Sequence, residues 1–301
     1  MFLKIIIAIY ALFLLSNYPE TLNSKPYTLL IVFPNCKINL GLHILQKRSD
    51  GFHNLETVFY PIAFQDALEI IQHPQPSTDT EFSTSGLKVD GHLSDNICVK
   101  AYRLLKKDFT ELPAIKMHLH KTIPMGAGLG GGSADGAFAL TLLNQKFNLC
   151  LDEGTLIKYA LQLGSDCPFF IKNTPCYAIG RGEVLESLAL DLSLYKFVIV
   201  NPQIHINTAW AFSKITPLSS RPSLKEIINQ PIEQWKEGLK NDFEEAVFKQ
   251  HPQIKECKDA LYEQGALYAC MTGSGSTVYG IFEKKAAPEF FFPTHYFMKI
   301  I

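Results

Sequence analysis

Residues 124–134 read Pro-Met-Gly-Ala-Gly-Leu-Gly-Gly-Gly-Ser-Ala, and five of the seven positions from 126 to 132 are glycine. Glycine loses more conformational freedom on folding than any other residue, so this density calls for a physical reason. One reason is chemical. Alternating residues 114–123 lead into the run as a strand, and residues 133–147 leave it as a helix. Amides at a helix start are unpaired and carry partial positive charge, and without side chains an anion such as phosphate can touch them directly. Ser133 adds a hydroxyl that can bind phosphate or a metal. The competing reason is packing, in a flexible loop or a tight helix–sheet contact. A flexible linker usually carries several polar residues; this run has few and is bracketed by strand and helix, which favours phosphate.

Two familiar phosphate-binding patterns do not fit. Gly126, Gly128 and Gly131 form a GxGxxG, but a dinucleotide fold wants an acidic residue on a strand about 20 residues on, and here a second helix follows. A P-loop ends Gly-Lys-Ser/Thr; this run ends Gly132-Ser133 without the lysine. Two charged residues complete the chemical inventory. Lys37 lies beside Asn39 on the polar face of an alternating stretch, where spacing alone makes it a solvated group. Asp166 stands before Pro168 in a chain break, where a turn-forming aspartate is common.

The elements that must position these groups follow from periodicity. In residues 31–45, Ile38, Leu40, Leu42 and Ile44 alternate with Lys37, Asn39, Gly41 and His43, the mark of a strand with one buried face. Asp50-Gly51 is a turn signal, and residues 54–64 and 66–72 read as further strands of one antiparallel meander. Residues 74–86 read as a loop or hairpin edge. Residues 94–109 are helical with Ser94 or Asp95 as cap, and residues 152–164 are helical between Asp152 as cap and Gly164 as terminator. Residues 165–168 break the chain and residues 168–171 resume it extended. Beyond Asn173, strands at 196–202, 267–272 and 277–283 alternate with helices at 223–230, 233–250 and 253–265, which suggests a second α+β unit. The aromatic tail, residues 287–301, reads as an edge element.

The glycine run resembles the P-x-G-x-G-L-G-S/G-S/G-S-A motif of the galactokinase, homoserine kinase, mevalonate kinase and phosphomevalonate kinase (GHMP) superfamily. Residues 34–57 look like the opening of one of its families, the 4-diphosphocytidyl-2-C-methyl-D-erythritol kinases. Residues 163–170 resemble the Gly-x-Asp-x-Pro segment, and residues 272–282 the third glycine motif. The resemblance spans roughly residues 31 to 283. It implies a two-domain α+β fold with the active site in the cleft. The division it suggests is an extension at 1–28, an ATP-binding domain at 29–173 and a C-terminal α+β domain at 174–301.

The implied reaction is ATP-dependent phosphorylation of the 2-hydroxyl of 4-diphosphocytidyl-2-C-methyl-D-erythritol, with ATP and Mg2+ required. In that resemblance Asp166 is the base and Lys37 the cation that keeps it ionised and holds developing charge. ATP is expected on Pro124, Met125, Gly126, Ala127, Gly128, Leu129, Gly130, Gly131, Gly132, Ser133 and Ala134, with Asn96 and Lys121 flanking the nucleotide. Substrate is expected on Asn39, Phe52, His53, Thr208, Phe212, Thr272 and Gly273. His53 would read the base edge and Phe212 stack on cytosine, with Trp210 a rival. Phe52 stands where many members carry tyrosine, and either stacks on substrate or packs in the core. A sister kinase acting on homoserine or mevalonate, and a nucleotide-binding protein without catalysis, are the alternatives.

Composition is consistent with this reading. With 28 basic and 29 acidic residues the formal net charge is −1, which gives no overall pull toward nucleic acid or an anionic membrane. The expected partner is a small molecule. Seven cysteines without a CxxC pair read as buried apolar groups in a reducing compartment, and an ATP-dependent enzyme of this kind is expected in the cytoplasm. The apolar run at residues 5–15 is short for a membrane span. A signal sequence, an anchor and misjoined upstream sequence compete; we favour a start assigned too far upstream, with initiation near Leu29 or Leu30.

Overall fold

The computed structural model describes residues 30–73, 80–89 and 91–301. The readings for residues 1–28, and for 74–79 of the expected loop, lie outside these. Among the described residues the strands form three four-stranded sheets. The first runs β1 (Leu30–Val32), β4 (Ala67–Gln72), β6 (Ile115–Lys121), β5 (Glu81–Gly86), with β5 parallel to β6 and the other pairs antiparallel. The second runs β2 (Asn35–Lys47), β3 (His53–Gln65), β7 (Cys176–Gly180), β8 (Val184–Ser187), antiparallel throughout. The third runs β10 (Tyr268–Met271), β11 (Val278–Glu283), β9 (Tyr195–Asn201), β12 (Phe297–Ile300), also antiparallel.

Helices α1 (Ile97–Asp108), α2 (Gly131–Phe147), α3 (Glu153–Leu163) and α4 (Cys167–Lys172) pack with the first sheet around one core, which includes Leu68, Met117, Leu105, Leu140 and Phe169. Helices α5 (Thr208–Ser213), α6 (Leu224–Ile227), α7 (Trp235–Gly238), α8 (Phe243–Gln250) and α9 (Pro252–Glu263) belong to the C-terminal part. The second sheet lies between these bodies. Ile38, Leu40 and Val58 pack with Ile199, Tyr268 and Tyr279 in a second core, while Leu42, Ile44 and Leu55 join α8 and α9 in a third.

This placement corrects the expectation of one buried face on β2. Residues 35–44 are buried without alternation, so the polar face carrying Lys37, Asn39 and His43 is inside too. β2 is also covered along its second edge: Leu42 N–H donates to Lys240 O and Asp242 N–H donates to Leu42 O, both at 2.9 Å. The single meander is corrected as well. Asp66 alone carries the chain from β3 in one sheet to β4 in another. β7 and β8 extend the β2–β3 sheet past residue 173, so hydrogen bonding crosses the expected domain boundary.

Three local readings change. The cap of α1 is Asn96, whose side chain accepts from Cys98 N–H at 2.9 Å, and neither Ser94 nor Asp95. Residues 81–86 form β5, an edge strand hydrogen-bonded in parallel to β6. Residues 167–172 are helical, because proline in the first turn starts a helix with its fixed φ and missing donor. Asp152 and Gly164 cap α3 as expected, and the tail forms β12 at the edge of the third sheet.

Candidate active site

The strand Ile115–Lys121 and the helix Gly131–Phe147 are joined by a loop whose path needs glycine. Gly126, Gly128 and Gly130 have φ of +63°, +79° and +70°, a region side chains rarely adopt. The loop ends on α2 with Gly130 as an N-cap that supplies no side chain, so the first-turn amides of Gly131, Gly132 and Ser133 receive no cap hydrogen bond. Unpaired amides and the dipole of a 17-residue helix make this end anion-seeking.

What surrounds each glycine separates the two reasons for the run. A Cβ on Gly128 would stand 2.1 Å from the Thr272 carbonyl oxygen. One on Gly130 would meet Phe170 and the Lys37 side chain at 3.0–3.1 Å, and one on Gly131 would meet Ile123 at 2.8 Å. At Gly132 nothing lies within 4 Å. Protein therefore fills the space at three of these glycines, and only Gly132 in the helix turn faces open space. The inference that the whole run is bare for the sake of an anion is too broad; packing accounts for much of it.

Lys37 and Asp166 meet where the loop crosses β2. Lys37 Nζ lies 3.6 Å from Asp166 Oδ2, donates to Asn39 Oδ1 at 2.6 Å and to Gly128 O at 3.3 Å, and sits 4.9 Å from the Phe59 ring centroid. Burial pulls the Lys37 ammonium below its ordinary pKa, and the Asp166 carboxylate opposes that. Asp166 is the better exposed partner, at 34% against 4% for the lysine side chain. The pair lines a cavity of about 270 Å³ together with Gly130, Ser165, Arg181, Thr208, Phe212 and Ser274. Phe212 joins an aromatic cluster: His53 stacks on it at 4.8 Å and 19°, and Phe243 meets it edge-on at 4.9 Å. The two stacked rings touch, so a base would part them to enter between them.

The remaining expected residues divide. Asn39 is buried and fully engaged: Oδ1 accepts from Lys37 Nζ and from Gly273 N–H at 3.0 Å, and Nδ2 donates to Thr57 Oγ1 at 2.9 Å. Thr272 is buried and bonded to Asn39 through Oγ1, at 3.0 Å from Asn39 N. Both hold the site in place, and Asn39 also lines the cavity. Gly273 lines the cavity, as does Thr208, whose Oγ1 lies 3.0 Å from Ser274 Oγ. Phe52 is 53% exposed, which excludes the core-packing alternative. Trp210 lines a different, larger groove with Lys214 and Phe248.

On the nucleotide side, Pro124, Met125 and Gly126 line a second cavity with His205 and Ser276. Ala127, Leu129 and Ala134 are buried, so only their backbone can face a ligand. Beside Ser133, burial pushes the pKa of the Cys167 thiol up to about 12. Asn96 uses its carbonyl oxygen as a cap. The expectation that Lys121 reaches adenine or phosphate does not hold in this geometry. Its ammonium is buried between Asp66 and Asp135, at 2.7 Å from the latter.

Sequence reading missed Asp66, Asp135, Arg181 and Glu56. Asp66 Oδ1 accepts from Thr122 and Ile123 N–H at 2.6 and 2.9 Å, so the Asp66–Lys121–Asp135 chain ties the entry of the glycine loop to the helix that leaves it. Only Arg181 had a local signal: it stands between two glycines, Gly180 and Gly182.

Comparison with known proteins agrees with this geometry. Residues 96–173 match the profile of the GHMP kinases N terminal domain, and residues 223–292 match GHMP kinases C terminal. A 4-diphosphocytidyl-2-C-methyl-D-erythritol kinase of Bacteroides thetaiotaomicron is 51% identical over 261 residues, 86% of this chain and 95% of that protein. One of Azobacteroides pseudotrichonymphae is 50% identical over 272 residues, 89% of this chain and all of its own length. A crystal structure of 4-(cytidine 5'-diphospho)-2C-methyl-D-erythritol kinase superposes with a TM-score of 0.69 at 29% identity, covering 84% of this chain and 90% of that one. A homoserine kinase from Cytophaga hutchinsonii shares the fold, with a TM-score of 0.65 at 13% identity, over 89% of each chain.

Proposed function

From its membership in the 4-diphosphocytidyl-2-C-methyl-D-erythritol kinase family of the GHMP kinases, to which this chain belongs, we propose the reaction it performs. It transfers a phosphoryl group from ATP to the 2-hydroxyl of 4-diphosphocytidyl-2-C-methyl-D-erythritol, giving the 2-phosphate and ADP, in the non-mevalonate route to isoprenoid precursors. The observation that carries the reading is the Lys37–Asp166 pair in one cavity with Phe212, on which His53 stacks, beside the uncapped start of α2.

The residue roles are our assignment. Asp166 accepts the hydroxyl proton on its exposed carboxylate. Lys37, fixed by Asn39 and Gly128 O, keeps Asp166 ionised and stabilises charge on the transferred group. The amides of residues 131–133 bind phosphate oxygens, with Gly132 as the closest approach. His53 and Phe212 hold the cytosine and so orient the alcohol, which is the larger part of phosphoryl-transfer catalysis. Among the described residues no three acidic, histidine or cysteine side chains gather into a metal cage. Mg2+ binds few protein oxygens and keeps water and phosphate as its other ligands, so a single hydroxyl beside bound phosphates would suffice to hold it. We assign Ser133 as its protein oxygen; bound there, the ion would neutralise phosphate charge.

Unpaired cysteines and the need for ATP support a cytoplasmic setting. No helix among the described residues is long and apolar enough to cross a membrane. The test is a coupled ADP-release assay with the cytidyl diphosphate alcohol, homoserine and mevalonate. Turnover with the first alone is expected; turnover with either of the others, or with none, overturns the assignment.

A further inference from the structure

β7 and β8 are joined by the turn Gly180-Arg181-Gly182, in which both glycines have left-handed backbone, φ +76° and +103°. Such a turn displays the residue between them, and here it delivers Arg181 to the wall of the cavity that holds Lys37, Asp166 and Phe212. Glu183 braces the base of the side chain. Its Oε2 accepts the Arg181 backbone N–H at 2.5 Å, and its Oε1 lies 3.4 Å from Arg181 Nε. The guanidinium lies over the Phe52 ring, 4.9 Å from its centroid, which accounts for a large aromatic ring standing half in solvent. Among the described residues the two terminal nitrogens of Arg181 have no hydrogen-bond partner in the protein.

The charge of the cavity gives this arginine a task. Its charged lining residues are Lys37, Asp166 and Arg181. The first two face each other across 3.6 Å, and Glu183 pairs with Arg181 through Nε alone, so among the described residues its two terminal nitrogens keep their donors for a ligand. Its position suits a group midway along a ligand. Phe52 beneath it precedes His53 of the aromatic stack, and Gly182 beside it would place a Cβ 3.6 Å from Phe59, the ring under Lys37. A planar fork of donors between a base-stacking end and a phosphoryl-transfer end matches a diphosphate.

We infer that Arg181 binds the diphosphate of the cytidyl diphosphate substrate, and so sets specificity for a cytidyl diphosphate over an uncharged cytidine derivative. The inference rests on the proposed function. It is tested by calorimetric titration of wild type, Arg181→Gln and Arg181→Lys with CDP and with cytidine, and by the KM for ATP of each protein. Wild type is expected to bind CDP at least ~10-fold more tightly than cytidine, in line with charge-assisted hydrogen bonds. Arg181→Gln should bring the two ligands within about threefold of each other, Arg181→Lys should retain part of the preference, and the KM for ATP should stay unchanged. The same CDP preference in Arg181→Gln as in wild type overturns the inference, as does an effect confined to ATP. Wild type that binds neither CDP nor cytidine overturns the substrate reading itself, an outcome distinct from both.

Discussion

Gly128 lies against the backbone of Thr272, with the site of its missing Cβ 2.1 Å from the Thr272 carbonyl oxygen. The first and third glycine motifs, 144 residues apart, thus touch through bare backbone, and the Thr272 hydroxyl adds a 3.1 Å bond to Gly128 O. Gly128→Ala would have to separate them and to hold alanine at φ +79°. The left-handed backbone alone costs about 1–2 kcal/mol, and the overlap adds to it. The expected result is a lower urea midpoint together with a fall of at least ~10²-fold in kcat/KM, since the same contact positions Lys37 through Gly128 O. Wild-type stability in the alanine variant would show that the contact is dispensable.

Asp166 and Lys37 are expected to fail differently when replaced. Asp166→Asn keeps the shape and removes the proton acceptor, so kcat should fall ~10²–10⁴-fold while ATP binding, measured by calorimetry, persists. Lys37→Met removes a buried cation that also bonds Asn39 and Gly128, so it should lower kcat by a similar factor and reduce thermal stability as well. Full turnover in Asp166→Asn would remove the base assignment.

Lys121 is predicted to matter for stability first. Its ammonium joins Asp66 and Asp135, all three side chains almost without solvent contact. Burial raises the Asp135 carboxyl above its ordinary range, with Lys121 pulling against the shift and Asp66 adding to it. Its second oxygen, Oδ1, is buried without a partner. Lys121→Met should therefore cost about 3–5 kcal/mol, the usual result of stranding buried carboxylates. Asp135→Asn leaves an acceptor for Lys121 and removes a strained charge, so denaturant unfolding should place it within about 1 kcal/mol of wild type. Equal losses in the two variants would refute this account of the triad.

These residues mark the limit of what sequence can reveal. Lys37 and Asp166 are readable only through the resemblance of the blocks around them, since spacing alone makes the first a solvated strand lysine and the second a turn aspartate. The glycine run is readable as a strand-to-helix junction, but its neighbours are not. Thr272, Phe170 and Ile123 fill space that a string of letters leaves empty, so packing and ligand access look alike until folding brings distant chain together. Lys121 illustrates the same point. Its position before Pro124 suggests a ligand, while Asp66 and Asp135, 55 and 14 residues away, make it a structural tie. The pairing that crosses the expected boundary after Asn173 is hidden for a related reason, because β7 is short and its partner β3 lies more than 100 residues away.

Glu56 gives a prediction in acid. It accepts from Tyr177 hydroxyl at 2.5 Å, Ser223 hydroxyl at 2.9 Å and Leu224 N–H at 3.1 Å, and lies 2.9 Å from His43 Nδ1. Burial alone would raise its pKa, but these contacts outweigh burial and hold the carboxyl at about 2. A carboxyl depressed on folding stabilises the fold above its unfolded pKa, and that stabilisation is lost as pH falls through the folded value. The loss should run from about pH 4.5 to 2 and amount to about 3 kcal/mol. Because Ser223 and Leu224 belong to the C-terminal part, thermal unfolding of Glu56→Gln should show lower stability at pH 7 and a flatter dependence on pH in that window. A pH dependence matching wild type would assign acid sensitivity elsewhere.

Gly132→Ala separates packing from ligand access. Gly132 lies in the first turn of α2 with ordinary helical backbone and nothing within 4 Å of an added Cβ. Alanine is favoured over glycine within a helix by about 0.5–1 kcal/mol, so the variant should be as stable as wild type or slightly more stable. If residues 131–133 present their amides to phosphate, the methyl group occupies the space the phosphate needs. The KM for ATP should then rise ~10-fold or more while the melting temperature holds or increases. Gly128→Ala should lose stability and activity together, so the two alanines give opposite signs on thermal stability. Unchanged ATP affinity in Gly132→Ala would mean that phosphate does not approach this face of the helix, and the reading of α2 as the phosphate site would have to be abandoned.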